Sequence, residues 1–371
     1  MNNLMSFVLN GRTITIFSFS EEINEFFLNL YSSYFGSKPF KWNNYINLIQ
    51  NFLTTTPDRD GIHNKYFNNF SPIWKHLLNN GQFSEAELIW QFALEPILIF
   101  EKNNPKREIH KGTAYYFWGM TSLLAGDLDK GFLLMHQAVE ENVKTSKCDL
   151  PDTPAMAFAS LNFQKLDQAF RQWVTHQANY LEKLIKIYST KYSRNFTIDD
   201  FQKKFLNTSP NLDITFLFVY TLARLERVAN VPTNTLKSRF SSQLIINLLF
   251  DLSVVIETTT KVKNTTGKSF IHHANFLTAS INQTLSEKQL GDINNEFKIN
   301  FDSTLALIVN NLFTLPDGTL LSDTQTDIVI AYGIRNKGAH DVAFSEVISD
   351  NFLKISESIF NVLFFVIEFL F

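Results

Sequence analysis

Along most of the chain, hydrophobic residues recur every three or four positions, which is the spacing of an amphipathic helix. A different pattern occupies the first twenty residues, where Asn10-Gly11 separates residues 6–9 from the alternating run 13–17. An Asn-Gly pair supplies the positive φ angles of a type I′ turn, so this segment predicts a β-hairpin. The sequence therefore predicts a mainly α protein that begins with one short hairpin.

In the second half of the chain the same periodicity predicts a compact bundle of five helices. They cover residues 233–260, 269–285, 292–312, 323–339 and 344–371. The last helix is nearly all apolar from residue 360 onward, but Asn361 and Glu368 interrupt this run. The apolar run is also shorter than the ~20 residues that a membrane span needs. We therefore expect a buried helix here and no association with a membrane.

Two stretches of the first half resemble tetratricopeptide (TPR) repeats, in which small residues let paired helices pack closely. The first stretch contains Gly81, Phe83, Ala86, Trp90 and Ala93, and the second contains Gly119, Gly126, Leu128, Gly131 and Ala138. The two turn glycines are 126 − 81 = 45 residues apart, whereas tandem repeats recur at about 34. An insertion around residues 102–111 would explain the excess. An irregular helical domain is the alternative interpretation.

A polar and basic stretch around residues 188–210 indicates a domain boundary. We place it between a helical, TPR-like domain of residues 1–204, which includes the hairpin, and a helical bundle of residues 205–371. The first domain is expected to act as a sensor or docking surface.

The composition narrows the function. A hydrophobic fraction of 45% with 19% charged residues is typical of a soluble globular protein, and the net charge of −3 argues against a protein that coats DNA through an overall positive field. The single cysteine, Cys148, excludes an internal disulfide, and no Cys/His set has the spacing of a zinc site. We expect no metal or cofactor. The first residues lack the pattern of a signal peptide, so a cytoplasmic location is expected.

The candidate chemistry lies in the segment from Arg335 to His340. Asn336 and His340 are four residues apart, so in a helix they lie on one face, where the amide can hydrogen-bond the imidazole. Arg335 offers a planar fork of donors with a permanent charge, and a histidine transfers protons near neutral pH. These side chains suit phosphodiester chemistry on RNA without a metal.

The pattern Arg335-Asn336-x-x-x-His340, near the end of the penultimate predicted helix, resembles the HEPN superfamily of metal-independent endoribonucleases. The resemblance implies a helical bundle, Arg335, Asn336 and His340 as catalytic residues, and a homodimer whose two motifs form one cleft. It also implies attack by a ribose 2′-hydroxyl, which leaves a 2′,3′-cyclic phosphate. The surrounding residues are similar to the abortive-infection branch of that superfamily.

Five further residues are candidate RNA contacts. Lys337 and Tyr332 flank the motif, Glu257 near the end of the long helix is a polar partner for it, and Lys261 and Lys263 add positive charge. The adjacent His272 and His273 point about 100° apart on a helix, so we expect structural roles for them.

The leading hypothesis is a ribonuclease effector of prokaryotic antiphage defence or of toxin type, whose N-terminal domain binds a protein or nucleic-acid activator. The alternative is a dimeric adaptor with a degenerate, non-catalytic HEPN-like bundle. The motif does not identify the RNA, the activator or the acid or base role of His340.

Overall fold

The computed structural model describes residues 4–36, 44–56, 62–145, 153–162, 164, 166, 168–207, 212–267, 269–340 and 345–371. The protein is mainly α, as predicted, with one two-stranded sheet among the described residues. Strand β1 (Leu4–Leu9) pairs antiparallel with β2 (Arg12–Phe17), and Leu9 lies opposite Arg12. Asn10 and Gly11 both have positive φ angles, 47° and 74°. These are the angles of a type I′ turn, so the predicted hairpin is confirmed.

The chain forms two compact units. One comprises Met1–Ala157 and Lys165–Phe170, and the other comprises Phe158–Gln164 and Arg171–Phe371. The boundary predicted between residues 204 and 205 therefore falls inside the second unit. The reason is a contact of Tyr188, which lies before the predicted boundary. Its ring packs edge-on against Phe364 and Phe365 near the C-terminus, at centroid distances of 5.5 and 5.1 Å. Aromatic packing of this kind joins residues 171–204 to the bundle.

The first unit contains the hairpin and a series of helices. They are α1 (Glu21–Phe35), α2 (Tyr45–Thr55), α3 (Ile62–Asn68), α4 (Ser71–Asn79), α5 (Phe83–Asn103), α6 (Gly112–Leu124) and α7 (Leu128–Thr145), and α8 (Pro154–Ala159) reaches the division between the units.

Helices α4 and α5, and likewise α6 and α7, form helical hairpins at the two stretches that resemble TPR repeats. Gly81 and Gly126 lie in the two turns with φ angles of 71° and 93°, which explains why each turn has a glycine. Gly119 and Gly131 lie where α6 meets α7, because a Cβ at Gly119 would be 3.0 Å from the Gly131 carbonyl. The expected insertion corresponds to the loop between α5 and α6. The helix pairs are thus present, whereas their membership of the TPR family stays a prediction.

The second unit contains the remaining helices, apart from residues 168–170 at the start of the first of them, which belong to the first unit. They are α9 (Gln168–Tyr192), α10 (Ile198–Phe201) with a π-helical turn (Gln202–Leu206), α11 (Leu212–Ala229), α12 (Arg239–Lys263), α13 (Phe270–Ser280), α14 (Glu287–Ile299), α15 (Phe301–Val309), α16 (Asp323–His340), α17 (Glu346–Asp350) and α18 (Phe352–Leu370); a short 3₁₀ helix (Thr233–Leu236) precedes α12.

Two of the five helices predicted here are each divided in two, and both divisions occur at asparagines. Asn300 separates α14 from α15; its φ and ψ are −151° and 89°, and its side chain accepts a hydrogen bond from the Ser303 amide. Asn351 separates α17 from α18, and Ser345 caps α17. Asparagine and serine side chains compete for backbone groups and so favour helix ends, an effect that hydrophobic periodicity does not reveal.

Helices α12, α16 and α18 pack against one another and form the core of the second unit. Every residue of α18 from Ile359 to Ile367 is buried, so the prediction of a buried C-terminal helix is confirmed. Among the described residues, α12 is long and apolar enough for a membrane span, but more than half of its apolar stretch is buried inside the protein. Length and apolar composition of this kind are also those of core helices.

The close contact between α6 and α7 leads to a stability prediction. A Cβ at Gly131 would overlap the side chain of Leu123, which is 1% exposed. We expect Gly131→Ala to lower the free energy of unfolding by about 1–3 kcal/mol, the usual cost of overpacking. Denaturant unfolding measures this change.

The control is Gly291→Ala in α14, where a Cβ would meet no atom within 4 Å. Alanine is the better helix former, so this variant should gain about 0.5–1 kcal/mol. Equal effects of the two substitutions would contradict the packing argument.

Candidate functional site

Helix α16 carries the motif on its last turns. Ser322 caps its start, since its hydroxyl accepts from the Gln325 amide (3.3 Å) and the Gln325 side chain accepts from the Ser322 amide (3.0 Å). The middle of the helix, Ile328 to Ala331, is buried, whereas Arg335, Asn336 and Lys337 are partly exposed. The fold thus places the three polar residues at the border between core and solvent.

Gly338 lies inside α16, at the crossing with α12. A Cβ at this position would be 2.6 Å from the Cβ of Phe250, so the glycine permits a tight approach of the two helices. The glycine does not mark the end of the helix, because the helix continues to His340. The side chain of His340 lies outside the described residues, as do residues 341–344.

An ion cluster surrounds Arg335. Its Nε donates to Glu257 Oε2 on α12 at 3.0 Å, and Lys261 Nζ lies 2.9 Å from the other carboxylate oxygen. Glu257 is only 7% exposed, although a glutamate near a helix end is ordinarily exposed. The structure therefore brings together three of the predicted site residues, Arg335, Glu257 and Lys261.

The cluster keeps Glu257 charged. Burial by itself would raise the pKa of this carboxyl group, but the hydrogen bond from Lys261 and the charge and hydrogen bond of Arg335 outweigh burial and lower the pKa below its ordinary value. Two cations and one anion remain at neutral pH, so the cluster has a net charge of about +1.

His273 lies near this cluster and is 2% exposed. Burial lowers the pKa of its imidazole, Glu257 partly offsets that effect, and Lys261 and His272 add to it. A lowered pKa means that the ring stays neutral at pH 7. His272, in contrast, lies 2.7 Å from the Ser269 hydroxyl. The two histidines thus have different surroundings, and the structural roles expected for them stay a prediction.

Asn336 and Tyr332 lie on the other side of Arg335. Asn336 Nδ2 donates to Asn294 Oδ1 on α14 at 3.2 Å. The predicted bond from Asn336 to the imidazole involves the undescribed His340 side chain and stays a prediction. Tyr332 is only 4% exposed, so its ring has little free surface on which a nucleobase could stack. Burial raises the pKa of Tyr332, while a hydrogen bond with Asn336 and the charge of Arg335 partly oppose this.

The two remaining lysines contact aromatic rings. Lys337 Nζ lies 5.1 Å from the centroid of Phe301, and Lys263 Nζ lies 4.7 Å from that of Phe371. Such cation–π contacts hold an ammonium group over the face of an aromatic ring. Lys337 is therefore beside the motif, whereas Lys263 lies at the end of α12, two residues beyond the ion cluster.

A cleft of about 800 Å³ opens beside the motif, between α16 and the corner where α14 meets α15. It is lined by Asn294, Phe297, Lys298, Ile299, Asn300, Phe301, Asp302, Tyr332, Gly333, Asn336 and Lys337. Of these residues, Tyr332, Asn336 and Lys337 were predicted from the sequence, whereas those of α14 and α15 were not. Asn300 is the signal that could have revealed them, because a helix break here turns Phe301 toward the preceding helix.

Comparison of the chain with family models, with curated proteins and with solved structures gave no significant match. The geometry of this site and the motif are therefore the features that indicate a function.

The ion cluster predicts an acid-sensitive contribution to stability. At pH 7 we expect Glu257→Gln to lower the free energy of unfolding by about 1.5–3 kcal/mol, the usual worth of hydrogen bonds to a charged group. Because folding lowers the pKa of Glu257, its contribution is present above the ordinary glutamate pKa of about 4.3 and is lost as the pH falls through the folded value.

Unfolding measured from pH 7 to pH 3 tests this expectation. The difference between wild type and Glu257→Gln should shrink toward zero at the acid end. Glu296→Gln, at an exposed position of α14, is the control and should change stability little at any pH. A difference for Glu257→Gln that does not depend on pH would contradict the assignment.

Proposed function

We propose that this protein is a metal-independent endoribonuclease in which Arg335, Asn336 and His340 act on the scissile phosphate. The observation that carries the proposal is the position of Arg335. The Arg335 side chain lies at the edge of the second unit's core and is about a quarter exposed. Its Nε forms an ion pair with Glu257. Its neighbour in the motif, Asn336, lines an open cleft.

The ion pair with Glu257 uses only part of the guanidinium. Among the described residues, neither terminal nitrogen of Arg335 donates a hydrogen bond. Those two nitrogens form the planar fork that binds two oxygens of a phosphate at once. The carboxylate of Glu257 therefore orients the arginine, and the net positive cluster attracts a phosphate while leaving the fork free to bind it.

The proposed reaction needs one proton transfer at each end. The ribose 2′-oxygen bonds to phosphorus and loses its proton to a base, while the bond from phosphorus to the 5′-oxygen breaks and that oxygen gains a proton. The products are a 2′,3′-cyclic phosphate and a 5′-hydroxyl. His340 serves one of the two proton transfers, Arg335 stabilises the charge on the nonbridging oxygens, and Asn336 orients the imidazole or the phosphate.

The resemblance to HEPN proteins extends the proposal to the whole protein. Two copies associate through the C-terminal bundle, so that two motifs face one cleft and two histidines divide the acid and base roles. The helical hairpins of the first unit bind a protein or nucleic-acid activator in the cytoplasm. Such control suits an antiphage effector or a toxin, because unregulated RNA cleavage kills the host.

One observation favours a second candidate function, that of a non-catalytic adaptor. Arg335 already has a buried partner in Glu257, and an arginine that joins two core helices has a structural role without any substrate. In that case α16 and α12 would serve dimerisation only. A substitution that keeps the positive charge at position 335 but removes the planar fork of donors distinguishes the two functions.

RNA cleavage in EDTA tests the proposal. The substrates are a panel of single-stranded RNAs and tRNAs, and the end groups of the products are analysed. We expect the wild type to leave cyclic phosphates and His340→Ala to be slower by about 10²–10⁴-fold, the usual worth of a general acid or base. Arg335→Ala should be slower by about 10²–10³-fold, as when an oxyanion donor is removed.

Arg335→Lys is the informative intermediate. It keeps a cation for Glu257 and so should keep stability, but it lacks the fork and should still lose most activity. His176→Ala and Arg12→Ala change exposed residues that do not line the cleft, and these variants should cleave normally. Full activity in both His340→Ala and Arg335→Ala would assign the chemistry to other residues. A wild-type dimer without cleavage would favour the adaptor.

A further inference from the structure

The wall of the cleft formed by α14 and α15 has no role in the chemistry described so far. Its position depends on Gly333 of α16, where a Cβ would lie 2.5 Å from the Cζ of Phe297. The missing side chain lets Phe297 approach the helix, and the break at Asn300 then turns Phe301 to the cleft. A volume of about 800 Å³ is within the range of ligand sites, about 300–1,000 Å³.

Three kinds of group meet in this cleft. Phe301 is partly exposed, and its ring lies 5.3 Å from that of the buried Phe297 at an angle of 32°. Asn294 and Asn336 supply side-chain amides, and Lys337 supplies a cation above the Phe301 ring. An aromatic face, an amide and a cation bind the three parts of a nucleotide, namely the base face, the base edge and the phosphate.

One amide of the cleft, that of Asn294, has a donor available for such a ligand. Asn294 accepts the bond from Asn336, but its own Nδ2 donates no hydrogen bond among the described residues. The acidic residue of the lining, Asp302, accepts a bond from the Ser345 hydroxyl at 2.7 Å, which engages it with α17. Lys298 and Lys337 contribute two positive charges to the lining, one more than the single negative charge of Asp302. A free amide donor and a net positive lining both suit RNA.

We infer that this cleft binds one unpaired nucleobase of single-stranded RNA, next to the phosphate held by Arg335. The base stacks on Phe301, Asn294 donates to its edge, and Lys337 exchanges its contact with the ring for one with the neighbouring phosphate. A base within a duplex has both faces covered, so the cleft selects unpaired RNA. The inference rests on the proposed ribonuclease function, because that function makes RNA the substrate.

Binding of uncleavable RNA tests this inference without requiring cleavage. The probes are fluorescein-labelled 12-nucleotide 2′-O-methyl oligomers of A, C or U and an abasic oligomer of equal length and charge. Fluorescence anisotropy measures their dissociation constants. We expect the oligomers with bases to bind at least tenfold more tightly than the abasic oligomer, since stacking on one aromatic ring is worth roughly tenfold or more in affinity.

Phe301→Ala should weaken binding of the base-containing oligomers by about tenfold and leave the abasic oligomer unchanged. The matched control is Phe240→Ala, which removes a phenylalanine that is 75% exposed at the start of α12, outside the cleft. It should bind as the wild type does. Asn294→Ala should reduce the differences in affinity among the A, C and U oligomers, because the edge of the base then loses its donor.

Equal binding of the base-containing and abasic oligomers, no effect of Phe301→Ala, or no binding by the wild type would each overturn the inference. The cleavage assay decides the ribonuclease function separately. Cleavage that depends on Arg335, together with binding that ignores the bases, leaves the function and removes the base site. Base-dependent binding through Phe301 without any cleavage would keep the base site and remove the ribonuclease function.

Discussion

The buried carboxylate of Asp327 fixes the rotation of helix α16, and the arrangement of the candidate site depends on it. Asp327 is 1% exposed and bonds to Lys191 (3.0 Å), Tyr192 (2.5 Å) and Asn361 (2.7 Å). A buried charge is costly unless it is paired, so this side of α16 has to face α9 and α18. The Tyr192 hydroxyl stays a donor, because burial and the charge of Asp327 raise its pKa.

This rotation decides which way the motif points. Each residue of a helix turns by about 100°, so Asn336, nine residues after Asp327, lies on the opposite side and faces α14. Arg335, one residue earlier, then faces α12, where Glu257 holds it. The close contact of Gly338 with Phe250 lies farther along the same antiparallel crossing. Two buried carboxylates, Asp327 and Glu257, thus position one helix between core and cleft.

Much of the fold follows from local pattern. The Asn10-Gly11 turn, the buried C-terminal helix and the start of α16 at Asp323 all agree with the sequence-based predictions. The predicted helices 292–312 and 344–371 were wrong in their continuity, since asparagine and serine side chains end the helices by capping them. Hydrophobic spacing continues across such a break, because residues on both sides of it face the same core.

The sequence by itself determined the candidate chemistry, since the types and spacing of Arg335, Asn336 and His340 are properties of the chain. It also suggested Glu257 as a polar partner. Only the tertiary structure decided that Glu257 is buried against Arg335, that Asn294 meets Asn336, and that Phe297 and Phe301 complete a cleft. These contacts join residues that are 42 and 78 positions apart in the chain. Periodicity describes one helix at a time, whereas contacts of this kind are decided by how whole helices cross and by which buried charges must be paired.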